Sequence, residues 1–153
     1  MARSSSRGFT ILELLIVVSI IAILASIGMP KFANVLQAAQ EGSLRGNLGT
    51  MRSALSIYYA DNQGFYPSCV AGPGSTVFDN ALVPKYIAAI PAVKNGLHPL
   101  TNSVYCDSIM VAGSVHDGQG WYYDGALPDD SQKGSIWVAC DHTDTKGSTW
   151  TSY

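Results

Sequence analysis

"RGFTILELLIVVSIIAILASIGMP", Arg7 to Pro30, is the stretch that decides the architecture. From Phe9 to Met29 it holds twenty-one residues, and Glu13 is the sole ionisable side chain among them. At about 1.5 Å per residue a helix of that length spans roughly 30 Å, the hydrocarbon thickness of a bilayer. A cleaved secretory signal has a shorter apolar core, about 7–15 residues, with a small-residue cleavage site behind it. Here the run is longer and passes into an amphipathic pattern without a turn signal, so a retained membrane helix is expected. Arg3 and Arg7 precede it and no acidic residue does. By the positive-inside rule the N-terminus is then cytoplasmic and the remainder lies outside. Glu13 sits where an ionised group is expensive. It needs either a partner or a route to the interface by snorkelling from the first turns.

Working outward, Pro30 ends the apolar run and, within a helix, removes a hydrogen bond and bends the axis. Beyond it Phe32, Val35, Leu36 and Ala39, then Leu44, Leu48, Met51, Leu55 and Tyr58, recur at three and four. That is an amphipathic helix with one apolar stripe. Gly42, Gly46 and Gly49 each weaken it by about 1 kcal/mol relative to Ala. "YYADNQGFYPS" ends it, with Asn62-Gln63-Gly64 as the C-cap signal and Pro67 as the stop.

The rest of the chain reads more coarsely. Residues 65–80 and 92–102 look like loops, and "ALVPKYIAAIP" (Ala81–Pro91) like a helical turn with Leu82, Tyr86, Ile87 and Ile90 inward. Val104–Val111, Gly120–Tyr123 and Ser135–Ala139 look like strands. A small sheet laid on the amphipathic half of the helix gives both a core. The last third is aromatic: Trp121, Tyr122, Tyr123, Trp137, Trp150 and Tyr153. Strand alternation assigns about half of these to the core.

Composition excludes several functions. The chain has nine Lys and Arg; without Arg3 and Arg7, seven face eleven acidic residues, and no basic cluster is present. Nucleic acid is therefore not an expected partner. No Cys-x-x-Cys, Gly-x-Ser-x-Gly, P-loop or His-Glu-x-x-His occurs, so no enzyme is expected. His98, His116 and His142 read as isolated surface residues. "DHTDTKG" (141–147) has oxygen ligands, but its spacing fails the calcium-loop pattern and a turn is expected. No metal and no cofactor are assigned. Cys69, Cys106 and Cys140 lie on the outer side, where disulfides form. Cys106–Cys140 is the preferred pair because both fall in predicted strands; Cys69 with either is the alternative.

The segment Gly8-Phe9-Thr10-Ile11-Leu12-Glu13, followed by its apolar run, resembles the processing site of type IV pilins and type II secretion pseudopilins. It departs only in the order Ile11-Leu12. Asp61-Asn62-Gln63-Gly64-Phe65-Tyr66-Pro67 resembles the end of the long helix in the same proteins. The resemblance covers the first third of the chain closely and the rest loosely. It implies a leader, 1–8, cut between Gly8 and Phe9 by a prepilin peptidase that also methylates the Phe9 amine. The freed amine then supplies a partner for Glu13, on the same chain or a neighbour in a fibre. The implied organisation is a transmembrane and polymerisation helix (9–30), an amphipathic half (31–62) and a head (63–153). The fold expected is α+β: a long N-terminal helix kinked at Pro30, with a small antiparallel sheet on its C-terminal half. The implied function is a subunit of a type IV pilus-like filament, the alternative being a secretion pseudopilin. Its partners would be copies of itself, other pilins and the assembly machinery. It would sit in the inner membrane before assembly and in an extracellular or periplasmic filament afterwards.

Overall fold

The computed structural model describes residues 8–69, 72–73, 76–94, 98–107, 117, 120–125 and 134–153. Helix α1 runs from Ile11 to Asp61, 51 residues, with helical assignment unbroken at Pro30. It is followed by β1 (Gly72–Pro73), α2 (Thr76–Leu82), β2 (Val104–Asp107), β3 (Gly120–Asp124), β4 (Ser135–Ala139) and a 3₁₀ turn at Trp150–Ser152. The fold is α+β. The chain divides into two compact units, Met1–Leu36 and Gln37–Tyr153.

In the second unit, α1 buries Glu41, Leu44, Leu48, Met51, Ala54 and Leu55. The apolar ones among these belong to the stripe read from the sequence, together with Ala54. They meet Phe78, Leu82, Val104, Cys106, Trp121, Tyr123, Ile136, Val138 and Trp150 in one core. The stripe's earlier members, Phe32, Val35 and Leu36, are exposed. The helix ends as its C-cap signal predicts, with an unexpected residue in the key position. Gln63 takes the left-handed conformation (φ 57°), and the Gly64 N–H donates to Tyr59 O at 2.9 Å. That six-to-one bond is the Schellman arrangement, which satisfies a carbonyl at the helix end.

Two expectations need correction. The sheet is mixed: in the order β1-β2-β3-β4, β2 and β3 are parallel, while the outer pairings are antiparallel. Parallel neighbours need a crossover of about a dozen residues, and the stretch between Asp107 and Gly120 is that long. A helix also lies earlier than Ala81–Pro91, within the stretch read as loop. Pro84 disfavours helical backbone at Val83, so α2 stops at Leu82 and its apolar contribution is Phe78 and Leu82. Residues 108–111 of the predicted strand Val104–Val111, His116 and leader residues 1–7 lie outside the described residues.

β3 is buried along its whole length. Its outward Tyr122 lies in register with Tyr105 on β2 and Trp137 on β4, and its ring packs against both. These cross-strand aromatics shield one another, so alternation underestimates the burial. On the inner face Trp121 Nε1 donates to Pro91 O at 2.7 Å, and Tyr123 Oη donates to Pro67 O at 2.8 Å.

Candidate functional site

The first unit presents a helix face with no protein against it. Every described side chain from Gly8 to Ala39 is exposed. The span is long and apolar enough to cross a bilayer, with a mean hydropathy of 2.7 in its most apolar window. Apolar residues on all sides of a helix are stable only in lipid or against other helices.

Its polar side chains from Phe9 to Met29 are all bonded within that stretch. Ser19 Oγ donates to Leu15 O (2.8 Å) and Ser26 Oγ to Ile23 O (2.7 Å). Thr10 and Glu13 form a capping box: Glu13 N–H donates to Thr10 Oγ1 (3.2 Å). Thr10's own N–H and hydroxyl both donate to Glu13 Oε2 at 2.9 Å. Thr10 is thus the N-cap and Glu13 the third helical residue, each satisfying an orphan donor of the other's backbone. The Thr-x-x-Glu spacing carries that signal, and reading Glu13 as a charge alone leaves Thr10 out of the site. The carboxylate is held over the first turn, bonded to the N–H of Thr10, the residue that follows Phe9. A cationic Phe9 amine produced there would emerge within the same turn.

The comparisons agree with this segment. Residues 3–29 match the model of the prokaryotic N-terminal methylation motif. Fimbrial protein EcpC of Eikenella corrodens is 29% identical over 125 residues, covering 77% of this chain and 81% of that protein. Type II secretion system core protein G of Escherichia coli is 31% identical over 99 residues, 60% of this chain and 68% of the relative. The chain belongs to the type IV pilin and type II secretion pseudopilin family. The type IV major fimbrial protein FimA of Dichelobacter nodosus is 34% identical over 77 residues, and the chain spans about half of that relative's length (49%). No solved structure matches at the same stringency. The relatives are named as fimbrial and secretion-system proteins, not as enzymes.

Within the pilin-family head, the cysteines depart from the preferred pairing. β2 and β4 flank β3, so they lie about 9.5 Å apart, twice the strand spacing. Cys106 registers through Tyr123 to Ile136, four residues short of Cys140. A bridge needs Cα atoms within about 7 Å, which excludes Cys106–Cys140. Instead Cys69 and Cys106 are in side-chain hydrogen-bonding contact, and that contact, with burial second, raises the Cys69 thiol's pKa. Cys140 Sγ lies 3.4 Å from His142 Nδ1, and His98 Nε2 is 3.2 Å from the same nitrogen, so these histidines are not isolated.

"DHTDTKG" is a turn, and its oxygens are engaged by α1. Asp144 Oδ1 accepts from the N–H groups of Lys146 (2.8 Å) and Ser148 (2.9 Å). Its Oδ2 accepts from Tyr153 Oη (2.5 Å) and from the Arg45 guanidinium. Glu41 accepts from the backbone N–H and the hydroxyl of Thr145 (3.0 and 2.6 Å). The Tyr153 hydroxyl first, then the Ser148 and Lys146 amides and Arg45, hold the Asp144 carboxyl down to about 2. A guanidinium and N–H donors fill the space where a hard cation would need bare oxygens.

Proposed function

We propose that the chain is a structural subunit of a type IV pilus-like filament, made as a membrane-anchored precursor. One observation carries this reading: an exposed apolar helix whose every polar side chain from Phe9 to Met29 is bonded within the segment. Such a helix is suited to lipid before assembly and to a bundle of like helices after it. The precursor spans the inner membrane with its N-terminus in the cytoplasm. A prepilin peptidase cuts between Gly8 and Phe9 and methylates the new amine. Glu13 then pairs with the Phe9 amine of a neighbouring copy, penalising any stacking that leaves the carboxylate without it. Pro30 lets the helix bend on packing. In the oxidising outer compartment Cys69 and Cys106 are joined. The partners are copies of the chain, other pilins and the assembly machinery.

The secretion pseudopilin is the second reading, favoured by the match to core protein G. Mass spectrometry of purified filaments tests the main reading. The expected N-terminal peptide begins at Phe9 and carries one methyl group; Met1–Gly8 still attached in assembled fibres would overturn it. Long surface fibres containing the chain, seen by electron microscopy, separate pilus from pseudopilus.

A further inference from the structure

We infer that the head carries a site for a zinc-type divalent metal, built by His98 Nε2, Asp117 Oδ1, Cys140 Sγ and His142 Nδ1. These residues come from three separate segments: the loop before Leu100, the β2–β3 connection and the end of β4. All four donor atoms lie within 4.8 Å of one another. Four of their separations are 3.2 Å (His98–His142), 3.4 Å (Cys140–His142), 2.9 Å (His98–Asp117) and 3.6 Å (His142–Asp117). Zinc bonded tetrahedrally at about 2.0–2.1 Å to nitrogen, 2.0–2.2 Å to oxygen and 2.3 Å to sulfur puts its ligand atoms about 3.3–3.6 Å apart. Cys140–His142 and His142–Asp117 already have such edges, His98–His142 is slightly shorter, His98–Asp117 is the tightest, and no pair is wider than 4.8 Å.

Protons account for the cluster poorly. His142 Nδ1 touches Cys140, His98 and Asp117, and Asp141 Oδ1 is a fourth neighbour at 3.2 Å. One ring nitrogen holds at most one proton and can serve one of these four. A cation at the centre serves the nitrogens, the sulfur and the Asp117 oxygen together. The donor set is diagnostic: imidazole and thiolate with one carboxylate select zinc and its neighbours over calcium or magnesium. Cys140 is buried, His98 is partly covered, Asp117 is exposed and His142 is half-exposed, so an ion can enter from solvent. The alternating Cys140-x-His142 supplies two ligands, and the others are remote in sequence, which is why no local motif announces the site. The metal's role is structural: it ties the β2–β3 connection and the His98 loop to the end of β4.

The test uses the full chain in detergent, purified without a histidine tag, stripped by chelator and dialysed against zinc chloride. One zinc per chain by elemental mass spectrometry is expected. Cobalt(II) in its place should give intense visible bands of tetrahedral cobalt and a near-ultraviolet thiolate-to-cobalt charge-transfer band. Cys140→Ser should remove that charge-transfer band. His98→Ala and His142→Ala should each weaken uptake by more than the roughly 10–100-fold that follows loss of an outer-shell partner. His142 is half-exposed, so its variant keeps the fold, checked by circular dichroism, even if Cys140→Ser does not. No retained zinc and no tetrahedral cobalt spectrum in the unsubstituted chain would overturn the site. So would uptake unchanged in both histidine variants.

Discussion

Leu24 and Leu48 lie on the same helix, yet solvent reaches 65% of the first and 3% of the second. Local helix chemistry does not distinguish them, since both are good helix formers in an unbroken run. What differs is the neighbourhood. Around Leu48 the sequence places Ser43, Thr50, Arg52 and Ser53 among apolar residues, and these are exposed, so one side faces a core and the other water. Around Leu24 there is no polar side to turn outward, and the surface it needs must come from lipid or from other copies. On the proposed function, the first half of α1 carries assembly, and the second half carries folding.

That division predicts opposite failures. The largest effect is expected at Glu13. Glu13→Val should leave the head folded and the helix inserted at least as well, because an expensive carboxylate is gone. Filament yield from cells holding normal amounts of the variant in the membrane should fall to background. A wild-type yield would remove the charge pair from the account and blur the distinction between the two halves.

Next in size is a matched pair of truncations. Met51 is fully buried, and Met51→Ala should destabilise the head by about 2–5 kcal/mol. Leu24→Ala should change head stability by less than about 0.5 kcal/mol, as exposed substitutions do. Thermal unfolding of the full chain in detergent, followed by tryptophan fluorescence, reads the head alone, since Trp121, Trp137 and Trp150 all lie there. Equal losses in both variants would mean that the two halves do not divide the work.

A smaller effect is expected in acid. The Asp144 carboxyl titrates at about 2 in the folded head, below the ordinary carboxylate value of about 3.9. A lowered folded value means that its stabilisation is complete above the unfolded value and fades as pH falls from about 4 towards 2. Asp144→Asn should lower stability at neutral pH and flatten that acid limb. An unchanged limb would show that the turn is held by packing alone.

The sequence made these two halves legible to different depths. The apolar run, the stripe from Leu44 to Tyr58 and the stop at Asn62–Gly64 are local patterns with a fixed period, and the helix follows them. The Gly8–Glu13 motif was readable because its residues are adjacent. The head's errors came from contacts between distant residues. Cys106 and Cys140 both fall on or beside strands, but only the parallel β2–β3 register shows that β3 lies between them. His98 and His142 looked isolated because 44 positions separate them. Arg45 and Asp144, 99 positions apart, gave no pairing signal either. Thr10 is a different case: its spacing to Glu13 is local, and the cap is hidden only when Glu13 is read as a charge alone.

That cap supplies the smallest effect and separates two meanings of Glu13. As a capping residue Glu13 accepts from Thr10 and helps start α1; as a charge it awaits the amine of a neighbouring copy. Thr10→Ala removes the hydroxyl from both side-chain bonds but keeps the Thr10 backbone N–H and the carboxylate. Loss of a Thr N-cap costs typically about 1 kcal/mol, confined to the first turn. If Glu13 matters through its charge, Thr10→Ala should assemble filaments near the wild-type yield while Glu13→Val assembles none. Glu13→Gln sharpens the contrast, because its amide oxygen can still accept from the Thr10 N–H while the charge is lost. It should behave like Glu13→Val. Should Glu13→Gln assemble normally and Thr10→Ala fail, the cap would be the function and the ion pair would not. Filament yields of the three variants, scored at matched membrane levels, decide between these meanings without any change in the head.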